Sequence, residues 1–221
     1  ALDLQELPRI DLILISHAHM EHLDLRSLAG FSSSTPTVTA SNTSDLCRRA
    51  GLRNVTELHW GEITLAKTPA GEVVVEAFEV KHWGRRWPDK FDRGYNGYLL
   101  RRGGRSLLFA GDTAYTSSFA QLRSRGPFEI GFMPIGAYHP WIRNHCTPEQ
   151  AVQMADMAGV IRIVPIHHGT FKLSDEPMEE PLRRFEQALA DQPERIGLRY
   201  VGESIALGNA DSVRKEASPR G

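Results

Sequence analysis

The chain predicts a mixed fold of the α/β or α+β kind, on three observations. Short apolar runs of strand composition alternate with segments that carry helix start and stop signals. Chemistry-bearing residues recur just past the ends of those runs, where a sheet holds functional loops steady. No repeat or linker breaks the 221 residues, which are enough for one domain, or two tightly packed halves, with a sizeable core.

Taken in order, residues 10–15 form an Ile- and Leu-rich run bounded by polar residues, the pattern of a buried strand. Asp24 caps a short helix over 25–29, and 36–40 reads as a strand. Asn42 or Thr43 opens a helix over 44–50, which Gly51 closes. Strands follow over 63–65 and 73–80, and residues 96–101 and 105–110 form a hairpin about Gly103-Gly104. A helix over 117–125 leads to a strand over 130–133. Thr147-Pro148-Glu149-Gln150 combines a cap, a first-turn proline and Gln at the capping-box position, so a helix runs from there to Ala158. A strand over 161–166, a helix over 180–190 and closing strands over 198–207 complete the domain, 1–208. Residues 209–221 are polar and lack aromatics, so a disordered tail is expected there.

Composition excludes several classes. With a net charge of −1 and a pI near 6.8, no basic excess points to nucleic acid as a partner. Cys47 and Cys146 are far apart and form no C-x-x-C pattern, which argues against a disulfide framework and for a reducing, cytoplasmic compartment. No apolar run is long enough to span a bilayer and no signal peptide is seen, so any membrane contact is expected to be peripheral.

The densest chemical signal is His17-Ala18-His19-Met20-Glu21-His22, directly after the first strand. Imidazole and carboxylate are ligands of Zn²⁺, Mn²⁺ and Fe. His17 and His19 are two apart and point the same way on an extended backbone, while Glu21 and His22 follow the turn, a spacing that suits two ions better than one. Further candidates follow three later strands: His82, then Asp112 in Phe-Ala-Gly-Asp-Thr, then His167 in Val-Pro-Ile-His-His-Gly-Thr. A lone Asp after Gly is usually a turn and a lone strand-end His is usually packed, but the pattern repeats at four strand ends.

H-x-H-x-[E/D]-H, then His, Gly-Asp-Thr and His in this order resemble the metallo-β-lactamase superfamily. Phe109-Ala110-Gly111-Asp112-Thr113-Ala114-Tyr115, Met133-Pro134-Ile135-Gly136-Ala137-Tyr138-His139-Pro140 and Ile166-His167-His168-Gly169-Thr170-Phe171 are similar to the N-acylphosphatidylethanolamine phospholipase D-like branch, and more distantly the chain resembles the sugar-lactone phosphate hydrolases. The resemblance covers about residues 7–207 and implies an αβ/βα sandwich. Because only nine residues precede Ile10, it also implies that the first N-terminal strands are lacking here. It assigns His17, His19 and His82 to a first metal site, Glu21, His22 and His167 to a second, and Asp112 to both. The family normally has Asp where Glu21 stands. The extra methylene carries the carboxylate roughly 1.5 Å further, against tolerances of about 0.2 Å, so the second site is expected to be weaker or to hold another element. His168 replaces a Trp of close relatives, and His139 replaces a residue that is usually acidic.

Two divalent ions, with Zn²⁺ the first candidate and Mn²⁺ or Fe the others, can hold a hydroxide that is nucleophilic near neutral pH. No Gly-x-Ser-x-Gly elbow or Cys–His motif competes. Asp112 and His145 are the expected catalytic residues, His145 as general acid or oxyanion donor from a loop that relatives place over the site. His139, Tyr138 and Trp83 are the expected substrate contacts, and Trp87, Phe91, Tyr115 and Trp141 either join them in an apolar groove or lie in the core. Arg85, Arg86, Lys90 and Arg93 form a basic run that either attracts phosphate or is simply solvated. The expected function is a metal-dependent phosphodiesterase acting on a small-molecule or lipid phosphodiester. The alternatives are a lactonase for a sugar-phosphate lactone, a mononuclear iron enzyme oxidising thiols, and a metal-binding protein without turnover.

Overall fold

Ile13–Ile15 forms the first strand (β1), shorter than the apolar run that contains it. It pairs in parallel with β2 (Thr37–Ala40), starting at Ile13 opposite Thr37. Pro36 precedes β2, and a proline offers no N–H to carry the ladder further. Parallel strands need a crossover, supplied here by α1 (Leu25–Leu28). Asp24 caps α1 through the Ser27 N–H at 2.8 Å, as expected.

In the computed structural model, which describes residues 4–207, the chain divides into two units. The first comprises Ala1–Glu79 and Trp83–Leu100. After β2, α2 (Ser44–Arg49) leads to β3 (Val55–Leu58), a strand that the sequence reading missed because Thr56 and Glu57 interrupt its apolar pattern. Glu57 has a definite task. Its carboxylate accepts the N–H groups of Asn42, Thr43 and Ser44 at 3.0, 2.9 and 2.6 Å, capping α2 from a distant strand where Thr43 itself makes no side-chain cap. Burial opposes its charge, yet these bonds hold its carboxyl below the ordinary carboxylate range. An antiparallel pair follows, β4 (Ile63–Thr68) and β5 (Gly71–Phe78). The core behind β1 gathers Ile13, Ile15, Leu23, Leu28, Leu46, Cys47 and Leu52. Truncating Leu23 to Ala there would cost about 2–5 kcal/mol.

The chain passes into the second unit, Val80–His82 and Arg101–Gly221, along β6 (Gly97–Arg102). Gly103 and Gly104 both have positive φ, the geometry that a two-residue turn demands and that glycine adopts without strain. Three parallel strands follow, β7 (Arg105–Phe109), β8 (Phe128–Pro134) and β9 (Val160–Ile166). The expected helix over Ser117–Arg125 is a 3₁₀ helix; Phe119 and Leu122, both buried, recur at its three-residue period. α3 (Pro148–Ala158) begins with the complete Thr147/Gln150 capping box and ends at Gly159 in the left-handed conformation. It packs on the 3₁₀ helix, β8, β9 and α4 (Glu180–Ala188).

The closing strands expected over 198–207 are not formed. Ile196 makes one bridge to Ile163 and Gly197 donates to Ile163 O, after which the pairing ends. The Glu203 carboxylate takes the Arg199 and Tyr200 N–H groups that a ladder would need, and Gly202 turns the chain at positive φ. The tail expected over 209–221 lies outside the described residues. Among the described residues, no helix is long and apolar enough to cross a membrane. Cys47 and Cys146 are both free and buried, and burial pushes the Cys47 thiol up to about 11.

Candidate functional site

In the first unit the ligand loop leaves β1 at Ser16. The Ser16 hydroxyl bonds His17 Nδ1 at 3.0 Å, and His17 also makes an isolated bridge to Tyr95. His17 Nε2 and His19 Nδ1 lie 2.8 Å apart, so the two rings do converge as their spacing requires. The loop then tightens, with the N–H groups of His22 and Leu23 both donating to His19 O at 3.1 and 2.8 Å. This turn returns the His22 ring to within 4.2 Å of the His17 ring. Glu21 is exposed, whereas His17 is buried. The Trp83 ring meets His19 edge-on at 4.4 Å while remaining 46% exposed.

In the second unit the candidates come from four separate stretches. His82 lies beside the β7 loop because Lys81 N donates to Thr113 Oγ1 and Ala114 N to Lys81 O, at 3.0 and 2.8 Å. Asp112 follows β7, His145 stands between β8 and α3, and His167 follows β9. Three imidazole nitrogens face one carboxylate oxygen, Asp112 Oδ2: His167 Nε2 at 3.2 Å, His82 Nε2 at 3.9 Å and His145 Nδ1 at 4.0 Å. The His82 ring is fixed by Nδ1–H donating to Asn144 O at 2.9 Å, which turns Nε2 toward Asp112. His145 stacks on His167, with centroids 5.2 Å apart and planes 17° from parallel.

These separations test whether a cation fits. Two donors about 2.1 Å from a tetrahedral ion stand roughly 3.4 Å apart. The 3.2–4.0 Å set brackets that value, and His82, Asp112 and His145 each offer an atom within 4.8 Å of the others in a largely buried place. The donor chemistry, imidazole with one carboxylate, suits Zn²⁺, Mn²⁺ or Fe.

Strain marks this second cluster. His167 has φ of 58°, a left-handed conformation rare for a residue with a side chain. Gly136 approaches it so closely that a Cβ there would lie 2.2 Å from His167 O. The 135–146 loop is anchored by Glu176, whose carboxylate accepts the Tyr138 and His139 N–H groups at 3.2 and 3.1 Å.

The expected substrate contacts divide. Tyr138 is buried, and its hydroxyl donates to Glu180 at 2.7 Å. Burial and that carboxylate push the phenol up to about 12. His139 is exposed, 3.6 Å from Asp175. His168 is partly buried, which lowers its pKa. Trp87 and Phe91 are exposed, so neither is core. Nor is the basic run uniformly solvated. Arg93 is buried and bonds Asp45, Asp89 and Asn42 O, and Arg86 donates to backbone carbonyls. Sequence reasoning missed Arg86, Asn144 and Glu176, because each acts on or through backbone atoms whose position no residue pattern encodes.

A family profile described as Beta-lactamase superfamily domain matches residues 1–168, well over half of the chain. The chain belongs to the metallo-β-lactamase superfamily. The fold is therefore the αβ/βα type that the motif order implied. An uncharacterized protein of Mycobacterium tuberculosis is 29% identical over 92% of this chain and 56% of its own length. The mitochondrial N-acyl-phosphatidylethanolamine-hydrolyzing phospholipase D of Saccharomyces cerevisiae is 31% identical over 82% of this chain and 41% of its own length. The chain thus spans about half the length of these curated relatives. A UPF0173 metal-dependent hydrolase of Listeria innocua is 24% identical over 85% of this chain and 80% of its own length. The isothiocyanate hydrolase from Delia radicum gut bacteria superposes with a TM-score of 0.68 at 16% identity, covering 93% of this chain and 80% of that one, a likeness of fold.

Proposed function

We propose that this member of the superfamily is a metal-dependent hydrolase, and specifically a phosphodiesterase of the phospholipase D-like type. The observation that supports the metal reading is the buried Asp112 carboxylate with His167 Nε2 at 3.2 Å and His82 Nε2 at 3.9 Å from its Oδ2. His17, His19, Glu21 and His22 are the metal donors of the first unit, and His82, Asp112 and His167 those of the second. Two divalent ions, Zn²⁺ first among them, are the proposed cofactors. A divalent ion bound by such donors polarises a phosphoryl oxygen and acidifies the water it binds.

The chain's own residues do the rest. Asp112 supplies the negative charge that holds the imidazoles and a cation together. His145 turns Nδ1 toward Asp112 and carries a proton on Nε2 to the leaving oxygen. Its side chain is 12% exposed, so the ring is largely shielded from bulk water. The phosphodiester assignment draws on the yeast relative's activity and is an argument from likeness. It is supported by Trp141, Ile142, Phe171 and Leu173, which stand exposed on two loops joined by Trp141 Nε1–H donating to Leu173 O at 3.3 Å. These side chains suit a substrate with an apolar substituent and a cytoplasmic protein that meets lipid at a membrane surface.

Elemental analysis of the purified protein, paired with hydrolysis of bis(p-nitrophenyl) phosphate against a lactone, tests this reading. Bound Zn²⁺ and faster phosphodiester cleavage are expected. Lactone cleavage well ahead of phosphodiester cleavage overturns the substrate class, and a protein that takes up no divalent metal overturns the mechanism.

A further inference from the structure

Arg86 lies in the basic run, yet its guanidinium is turned inward. Nη1 donates to two backbone carbonyls, Ala18 O and Leu23 O, both at 2.8 Å. Ala18 lies between the two convergent histidines and Leu23 directly follows His22, so the two acceptors bracket the ligand loop. Inside the bracket the His22 and Leu23 N–H groups tighten the turn by donating to His19 O. Three residues earlier the same segment lays Trp83 against the His19 ring. The segment is itself moored, since the buried Arg93 reaches Asp45 and Asp89 in the same unit.

We propose that Arg86 is a positioning residue for the metal-ligand loop, setting the spacing of His17, His19 and His22 by clasping the backbone at both ends. Its two hydrogen bonds go to backbone carbonyls rather than to a candidate ligand ring. It resembles the partners that orient a ligand from outside and whose loss typically costs roughly 10–100-fold in metal affinity. The fixed geometry explains the residue type: one planar cationic nitrogen with two N–H groups satisfies two carbonyls that no helix or sheet serves. The proposal rests on the reading of this loop as metal-binding, so its test includes a readout that needs no metal.

Two measurements on the full chain decide it. Cobalt(II) is titrated into wild type, Arg86→Met and Arg86→Lys, and amide hydrogen exchange is followed in the metal-free proteins. Arg86→Met, which keeps the stem and loses both donors, is expected to weaken cobalt binding about 10–100-fold. It should also speed exchange at His22 and Leu23 while leaving β2 and β3 protected. Arg86→Lys, whose ammonium can still donate to a carbonyl, should recover part of both. Unchanged cobalt affinity and unchanged His22 and Leu23 exchange in Arg86→Met overturn the proposal. If that variant does not fold, Arg86→Lys decides alone: faster exchange confined to the loop supports the clasp, and exchange raised evenly through the unit overturns it. A wild type that binds no cobalt sinks the metal reading, while the exchange comparison still judges Arg86.

Discussion

The two candidate ligand clusters are built by opposite means. In the first unit the candidates are contiguous, four within six residues on one turn after β1, and the Arg86 side chain clasps that turn's backbone from outside. In the second they are scattered over His82, Asp112, His145 and His167, and backbone contacts hold each stretch: Lys81 against the β7 loop, Asn144 O on His82, Trp141 O on His145 N–H, and Gly136 against His167. A contiguous motif needs little topology but is only as rigid as its loop. A scattered one is as rigid as the strands that carry it, and it stores strain at His167 to complete the set. The first cluster should therefore tolerate changes of side-chain length and the second should not.

The sharpest test of the second cluster is its centre. Asp112→Ala leaves three imidazoles facing no carboxylate. Turnover should vanish and metal content should fall, by more than the roughly 10–100-fold loss that follows removal of an outer-shell partner. The fold should survive, as circular dichroism would show. Turnover close to wild type in this variant would dissolve the contrast, since the centre of the rigid cluster would then be dispensable. Next in size is His145→Ala, expected to slow turnover by about 10²-fold with metal retained. The loss should be smaller for p-nitrophenolate than for an alkoxide leaving group. Equal losses remove its role as proton donor.

How far each cluster was legible follows from the same contrast. The His17–His22 motif is plain because its four candidate ligands sit in one string after an apolar run, and strand-end placement made the candidates His82, Asp112 and His167 legible one by one. The supports were not. Arg86 looked like part of a solvated charge run, and only the fold shows it donating to Ala18 and Leu23. Glu57 broke the pattern of β3 because it caps α2, and Glu203 ended an expected strand by taking backbone donors. In each case a polar side chain satisfies backbone groups far away or across a turn, and apolar periodicity carries no trace of that.

Gly136→Ala probes the rigidity of the second cluster without touching a ligand. The added methyl would meet His167 O at 2.2 Å, so backbone must move. Destabilisation of about 1–3 kcal/mol is expected, together with loss of metal as His167 shifts. If metal content stays at the wild-type level, the scattered cluster is more pliant than its geometry suggests. Glu21→Asp is the counterpart in the first unit, where the longer carboxylate is exposed on a loop. Metal content or activity should rise by a few-fold at most, because a loop clasped only at its ends can already adjust to the extra methylene. A rise as large as the loss in Asp112→Ala would mean that the loop is as stiff as the strands.

The smallest expected effect concerns the mooring of the segment that carries Arg86. Hydrogen bonding from Arg93 holds the Asp45 carboxyl below its ordinary range, although burial pushes the other way. A depressed carboxylate contributes stability that is complete above its unfolded pKa, about 3.9, and is lost as pH falls through the lower, folded value. The Asp45 side chain is 55% exposed, so solvent screening holds the contribution to about 0.2–1 kcal/mol. Asp45→Asn should therefore lower the melting temperature by about 1–3 °C at neutral pH, and the difference from wild type should close as pH drops below the carboxylate range. If the gap persists undiminished at low pH, the stabilisation is not electrostatic. If the loss at neutral pH is accompanied by faster amide exchange at His22 and Leu23, the mooring at Arg93 reaches the ligand loop through Arg86, and the first cluster is held by two arginines in series.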